Sequence, residues 1–371
     1  GVDREDAERI WHAVTQFASF GFCKAHAAAF AVPTYQSAWL KTHYPAHLVA
    51  GLLTHDPGMY PRRTILDDAR RHGIAILPLD VNASEPDYVV EAVTPDDPAW
   101  GVRLALQDVH GISDAEIRSI MTARAERAFR DVGDFMRRTT VSRPVTEALA
   151  HAGAFDALEP ARRRHLYVAM TAEPEREGDQ LTLTMGADPA EGYRFKDYSD
   201  AEVVRAELEV LGLDATRHIV SFFEPLLADL GVTRAENLRR TRGGSKVIVA
   251  GVKVASQTPA IRSGQRIIFL TLDDATGPVE VTVFESVQPK VVKTVFHGYA
   301  LAVAGELRRT GVGGVSVVAE EVWDLSALHR ARGEGGLREA LCGETSPPVA
   351  STPAAGTGPR TLWHASPGSA G

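Results

Sequence analysis

Two cysteines, Cys23 and Cys342, are all that the 371 residues contain. That is too few for a disulfide framework, so a reducing, cytoplasmic compartment is expected. No apolar run approaches the roughly 20 residues of a membrane span, and no charged start leads into an apolar core. Neither membrane contact nor export is therefore expected. A net charge of -8 excludes a uniformly basic nucleic-acid binder. Metal-ligand spacing is missing too. His43 and His47 stand four apart, but Pro45 lies between them and no third ligand follows; Cys23 and His26 lack a second pair. No carboxylate constellation fit for catalysis stands out, so no catalytic or metal-binding residue is assigned. The chain opens with Gly1 rather than Met, directly into a helical pattern, and reads as a piece of something longer.

What is present is segregated. The hydrophobic content of 44% over this length supports two or three cored domains. From Arg234 to Arg266 eight basic residues stand against Glu236 alone, whereas Glu173 to Asp214 carries twelve acidic and four basic residues. Basic surfaces joined by acidic connectors are compatible with DNA binding.

The densest cluster of functional side chains is Gly21 to Pro45, where Lys24, His26, Tyr35, Lys41 and His43 sit in an apolar, alanine-rich frame. Spacing leaves two readings: a small-residue helix junction, or a phosphate-facing surface of ammonium and imidazole donors. Pro33 suits the first turn of a helix and Pro45 forces a break. Further helices are expected over 3–19 and 61–72, the latter stopping at Gly73, with a short strand over 74–77. Residues 80–98, turn-rich and acidic, read as a linker or surface loop.

Leu104 to Arg124 has a helix–turn–helix pattern in which Gly111 permits a tight turn, Ser113 caps, and Ile117, Ile120 and Met121 face a partner. His110, Gly111 and Ser113 mark where free backbone N–H groups could hold a DNA phosphate; an ordinary helical hairpin is the alternative. Arg124, Arg127, Arg130, Arg137, Arg138 and Arg143 follow. Val145 to Leu158 repeats the pattern, with Phe155 as an apolar plug. Farther on, five strands with a helix between the third and fourth suit an OB-fold barrel. Its first strand shifts phase at Gly251, as a bulged, curved strand would. Lys253, Arg262 and Arg266 are candidate backbone contacts and Phe284 a candidate stacking residue. Phe269 is assigned to the core. Beyond about His329 the composition is that of a disordered tail.

Several of these stretches, GFCKAHAAAF, YQSAWLK, HYPAHLVAGLL, DARRHGIAILPLDVN, LALQDVHGI, HAGAFDAL and AGVKVASQTPAIRSGQRIIFLTLDD, occur in the order seen in bacterial C-family DNA polymerases. The chain thus resembles the C-terminal portion of a DNA polymerase III alpha subunit up to about residue 325. Cys23 and Ala25 replace the family's usual Asn and Ser, and Phe30 replaces a common Tyr. The resemblance implies that Lys24, His26, Tyr35 and Lys41 contact nucleotide and DNA. Gln180, Leu181 and Leu183 resemble a degenerate peptide for a sliding clamp, with a short strand as the alternative.

The resemblance divides an α+β multidomain chain into the end of the polymerase fingers (1–79), a helix-hairpin-helix region (80–170), an acidic linker (171–200), a helical connector (201–243), an OB-fold (244–326) and the tail (327–371). The partners implied are primer–template and single-stranded DNA and deoxynucleoside triphosphates. Mg2+ would serve the full enzyme, on palm carboxylates absent from this chain, so the fragment alone is expected to be inactive. The degenerate clamp peptide and the lack of a further domain lean towards the error-prone branch. The alternative is a stand-alone DNA-binding module of hairpin and barrel. A synthetase anticodon barrel is disfavoured because no synthetase motif accompanies it.

Overall fold

The computed structural model of the chain describes residues 3–18, 24–56, 58, 60–94, 97–171, 190, 192–259, 266–310 and 313–342. They fall into two units, residues 1–218 and 219–371. In the first, α1 (Arg4–Ala18) and α2 (Lys24–His43) precede α3 (Pro45–His55) and α4 (Arg62–Arg71). Pro33 lies inside α2 rather than opening a helix. Six alanines between positions 25 and 38 supply enough helix propensity to carry the run through it. Pro45 does break the chain and starts α3. Along α1 and α2 the large apolar side chains Ile10, Trp11, Phe30, Tyr35 and Trp39 are exposed.

Next come β1 (Ala75–Leu77), β2 (Val89–Thr94) and β3 (Asp97–Arg103). β3 is central, parallel to β1 and antiparallel to β2. The loop expected over 80–98 is thus largely a hairpin, and the division expected at 79/80 runs through a sheet. Val81 is fully buried, its N–H donates to the Ala154 carbonyl, and Asn82 exchanges two hydrogen bonds with the Phe129 backbone. A single 3-10 turn, Leu106–Asp108, leads to α5 (Asp114–Glu126), α6 (Val132–Arg138), α7 (Arg143–His151), α8 (Arg162–Thr171) and α9 (Asp200–Leu211). Ile117 and Ile120 are buried as the helical period demands. Phe135 stacks edge-on between Phe129 and Phe155, at centroid distances of 5.0 and 5.2 Å, so Phe155 is the plug expected of it.

The second unit opens with a 3-10 turn (Ile219–Phe223), α10 (Glu224–Asp229) and α11 (Ala235–Leu238). The barrel follows: β4 (Lys246–Gln257), β5 (Ile268–Asp273), β6 (Pro278–Val283), α12 (Gln288–His297), β7 (Ala300–Thr310) and β8 (Gly314–Asp324). It closes in the order β4-β5-β6-β8-β7, with β6 and β8 parallel. Val247, Val249, Leu270, Leu301 and Val303 fill it. The apparent phase shift at Gly251 has a different origin. Alternation continues, but Ala250 and Val252 on the outer side are buried under a second apolar layer with Leu226, Leu325 and Leu328. The bulge itself lies between Lys253 and Ala255. The expected disordered tail is corrected as far as Cys342: α13 (Leu325–Gly333) and α14 (Leu337–Cys342) are helical, and burial of Leu328 anchors α13. Among the described residues no helix is long and apolar enough to cross a membrane.

Candidate nucleic-acid interface

In the first unit, α2 carries the four residues expected at the nucleotide. Lys24 is its first residue. His26 is exposed with its ring centroid 4.7 Å from that of Phe30 in an edge-to-face arrangement, and Tyr35 is 72% exposed. Lys41 donates to Asp68 at 2.9 Å. Burial raises the Asp68 pKa, but Lys41, His72 and Arg71 outweigh it and hold the carboxyl below its ordinary range. With a rise of 1.5 Å per residue, Lys24 and Lys41 stand about 25 Å apart along the helix. The four residues therefore do not converge on one small ligand; Lys41 fastens α2 to α4, and His26 and Tyr35 are exposed along the helix.

The hairpin turn is built as expected, with Gly111 at φ 83°, where a side chain would be strained. His110 is exposed and its backbone N–H donates to the Val210 carbonyl. Ser113 caps α5 in a capping box with Glu116. Glu116 also accepts from the N–H and hydroxyl of Ser142, the cap of α7, at 2.9 and 2.7 Å. Burial works against its ionisation, yet hydrogen bonds from Ser142 and Ser113 bring its pKa down to about 2. At this turn the Ser113 N–H already donates to the Glu116 carboxylate, and a second carboxylate, Asp114, sits in the same first turn. Like charges would repel a phosphate there.

Of the arginines downstream, Arg124 is bound to Glu85 and the Ser84 carbonyl, Arg127 and Arg138 hold Asp134, and Arg143 pairs with Glu147. Arg130 and Arg137 remain exposed outside these pairs. Glu116→Ala should lower the stability of the first unit by about 1–2 kcal/mol at neutral pH, since two helix caps lose their acceptor. The folded pKa lies below the unfolded value of about 4.3, so this contribution is complete above that range and fades as pH falls towards 2. Urea unfolding of both proteins across that window checks it; a deficit that does not shrink would rule the carboxylate out.

In the second unit the strand parity of Ile268, Leu270 and Leu272, all buried, turns Phe269 and Thr271 outward. Phe269 is 37% exposed, between Gln257 on β4 and Thr282 on β6. The core assignment of Phe269 is therefore wrong, and the alternation of these five residues was the signal that could have placed it. Phe284 is half-buried, with the Arg308 guanidinium 5.7 Å from its ring centroid, so one face is already taken by a cation. Lys253 is corrected too. Its ammonium donates to the carbonyls of Val295 and Phe296 at 2.8 and 3.0 Å, at the C-terminal end of α12, and burial lowers its pKa. Arg234 pairs with Glu224, and Lys246 with Glu320. Arg239, Arg240, Arg242 and Arg266 stay exposed. Arg262 and the clamp-peptide residues Gln180, Leu181 and Leu183 lie outside the described residues.

The second unit is thus a closed barrel with an outward aromatic and exposed arginines, and the first carries a capped helical hairpin. Residues 73–165 match the helix-hairpin-helix motif and residues 246–325 the OB-fold nucleic acid binding domain. Over most of its length the chain is similar to bacterial proteins named error-prone DNA polymerase. It is 35% identical to the error-prone DNA polymerase of Symbiobacterium thermophilum over 87% of this chain and 34% of that protein. The corresponding figures are 36% identity, 82% and 28% for the enzyme of Burkholderia pseudomallei. For Corynebacterium glutamicum they are 32%, 88% and 29%. The chain thus spans about a third of the length of these relatives. The asparaginyl-tRNA synthetase structure from Pyrococcus horikoshii aligns with 25% of the chain and 22% of its own at 22% identity and a TM-score of 0.22, and supports nothing further.

Proposed function

We propose that the chain supplies DNA-holding surfaces of a template-directed, error-prone DNA polymerase. In this reading the barrel grips single-stranded template and the first unit lies towards the primer–template duplex and the incoming deoxynucleoside triphosphate. One observation carries the barrel's part: Phe269 presented to solvent on β5, on the same barrel as an exposed Arg266 and Arg308. Stacking on an aromatic platform and backbone contact by arginine suit any base sequence. Contacts of Lys24, His26 and Tyr35 with nucleotide, and of Gln180, Leu181 and Leu183 with a sliding clamp, rest on the family resemblance.

Nucleotidyl transfer in such a polymerase calls for two magnesium ions on accessible carboxylates. Three buried carboxylates of the first unit are already engaged by protein donors. Asp108 is bound to Arg62 and Tyr88, Asp134 to Arg127 and Arg138, and Glu207 to Thr216. That the catalytic metals sit on other parts of the polymerase rests on the family resemblance.

The test is fluorescence anisotropy of the 371-residue chain with a labelled oligothymidylate. Phe269→Ala should weaken binding by about five-fold or more, with thermal melting to confirm that the variant folds. Equal affinity would overturn the barrel's role. In primer extension with Mg2+ the chain alone should incorporate nothing; templated incorporation would overturn the division of labour. A stand-alone binding module would also bind the oligonucleotide, but homology to polymerases over more than four-fifths of the chain favours the first reading.

A further inference from the structure

Helix α12 has two unlike faces. Val291, Thr294 and Val295 are buried towards the barrel, while Lys290, Val292, Lys293, Phe296 and His297 are exposed on the other side. Phe296 is 48% exposed and Tyr299, just past the helix, 50%. Large apolar groups held open to water in this way mark a contact surface more often than chance exposure does. Charge points to the kind of partner. No acidic residue occurs between Glu285 and Glu306, and this interval contributes Lys290, Lys293 and His297. A helix C-terminus ordinarily presents partial negative charge. Here the Lys253 ammonium sits on the last carbonyls of α12, at Val295 and Phe296, and offsets it. Asp324, the nearest acid to Gly298, is occupied in capping α13 through the Ala327 N–H. Lys290 and Lys293 would therefore attract a polyanion to the exposed side of the helix.

The helix is also joined to the barrel surface described above. Gln288 in its first turn donates through Nε2 to the Arg266 carbonyl at 2.7 Å and the Val283 carbonyl at 3.1 Å. The exposed Arg266 thus sits at the start of the α12 face, with Phe269 three residues farther along the chain.

We propose that the outward face of α12 is a second single-strand-binding surface, continuous with the barrel face. Lys290 and Lys293 take the phosphodiester backbone, and bases stack on Phe296 and Tyr299. The proposal rests on the reading that the barrel holds single-stranded DNA. It makes the chain's footprint longer than one barrel, which typically spans about 4–16 nucleotides.

The experiment measures anisotropy of the full 371-residue chain with labelled oligothymidylates of two lengths, about 8 and about 25 nucleotides, the shorter fitting one barrel. Phe296→Ala should weaken the long oligonucleotide by about five-fold or more and leave the short one unchanged. Lys290→Ala combined with Lys293→Ala should flatten the slope of log affinity against log salt by about 1.4 for the long oligonucleotide. Phe269→Ala should weaken both lengths. Circular dichroism melting confirms that each variant folds. Should Phe269→Ala weaken binding while the α12 variants match wild type in affinity and salt slope at both lengths, the second surface is refuted and the face belongs to a protein partner. Loss of effect in Phe269→Ala itself would instead remove the barrel reading on which this one stands.

Discussion

Arg62→Ala is expected to cost the first unit about 3–5 kcal/mol, because it strands a buried charge. Asp108 sits in the 3-10 turn before the hairpin with its side chain almost wholly buried, and its carboxylate accepts from the Arg62 guanidinium and from the Tyr88 hydroxyl. Burial raises the Asp108 pKa even with Arg62 in place. Without the arginine the folded-state value climbs further above the unfolded one. The deficit should therefore be largest above the new folded pKa and shrink as pH falls through it, when the carboxyl protonates and keeps its Tyr88 contact. Asp108→Asn in the Arg62→Ala background should recover much of the loss, since the amide carries no charge and still accepts from Tyr88. Urea unfolding of the two single variants and the double variant measures the coupling. A single-variant stability within about 1 kcal/mol of wild type would show that water already solvates Asp108.

Gly305→Ala should dismantle the barrel, at a cost of more than about 3 kcal/mol. Gly305 follows a register shift in β7 and lies against β8, opposite Ala319. A methyl group there would stand 2.8 Å from the Val318 carbonyl carbon and closer still to its oxygen. The clash is with backbone on a paired strand, so no rotamer change relieves it, and the strands must part. Gly243→Ala is the matched control, because its nearest neighbour would be the flexible Arg309 side chain at 3.5 Å. Thermal melts of both variants, with oligothymidylate affinity as a second readout, decide the matter. If Gly305→Ala melts with wild type, the close β7–β8 approach is not as described.

The barrel was legible because apolar alternation and glycine-bearing turns are local signals. All five strands and the intervening helix fall where period and turns place them. The hairpin turn was legible from Gly111 and Ser113 for the same reason. The β2–β3 hairpin was not, because Asp97 and Pro98 open β3 with residues that strands avoid. Helix α2 hid behind Pro33, whose local cost was outweighed by a propensity summed over twenty residues. At the candidate interface the errors share one cause. Lys253 looked available because its acceptors lie in a helix some forty residues later. Ser113 looked like a phosphate donor until Glu116 and Ser142 were brought beside it. Charge in a sequence can be counted, but whether that charge is already spent depends on distant neighbours.

Closure of the barrel limits how anything can be recognised there. Each of β4 to β8 has a strand on either side, so no strand of the barrel is an edge open along its whole length. A ligand of this domain must be read by side chains standing off the cylinder. Flat rings and cationic arms of that kind accept any of the four bases, because every base has a stacking face and every nucleotide a phosphate.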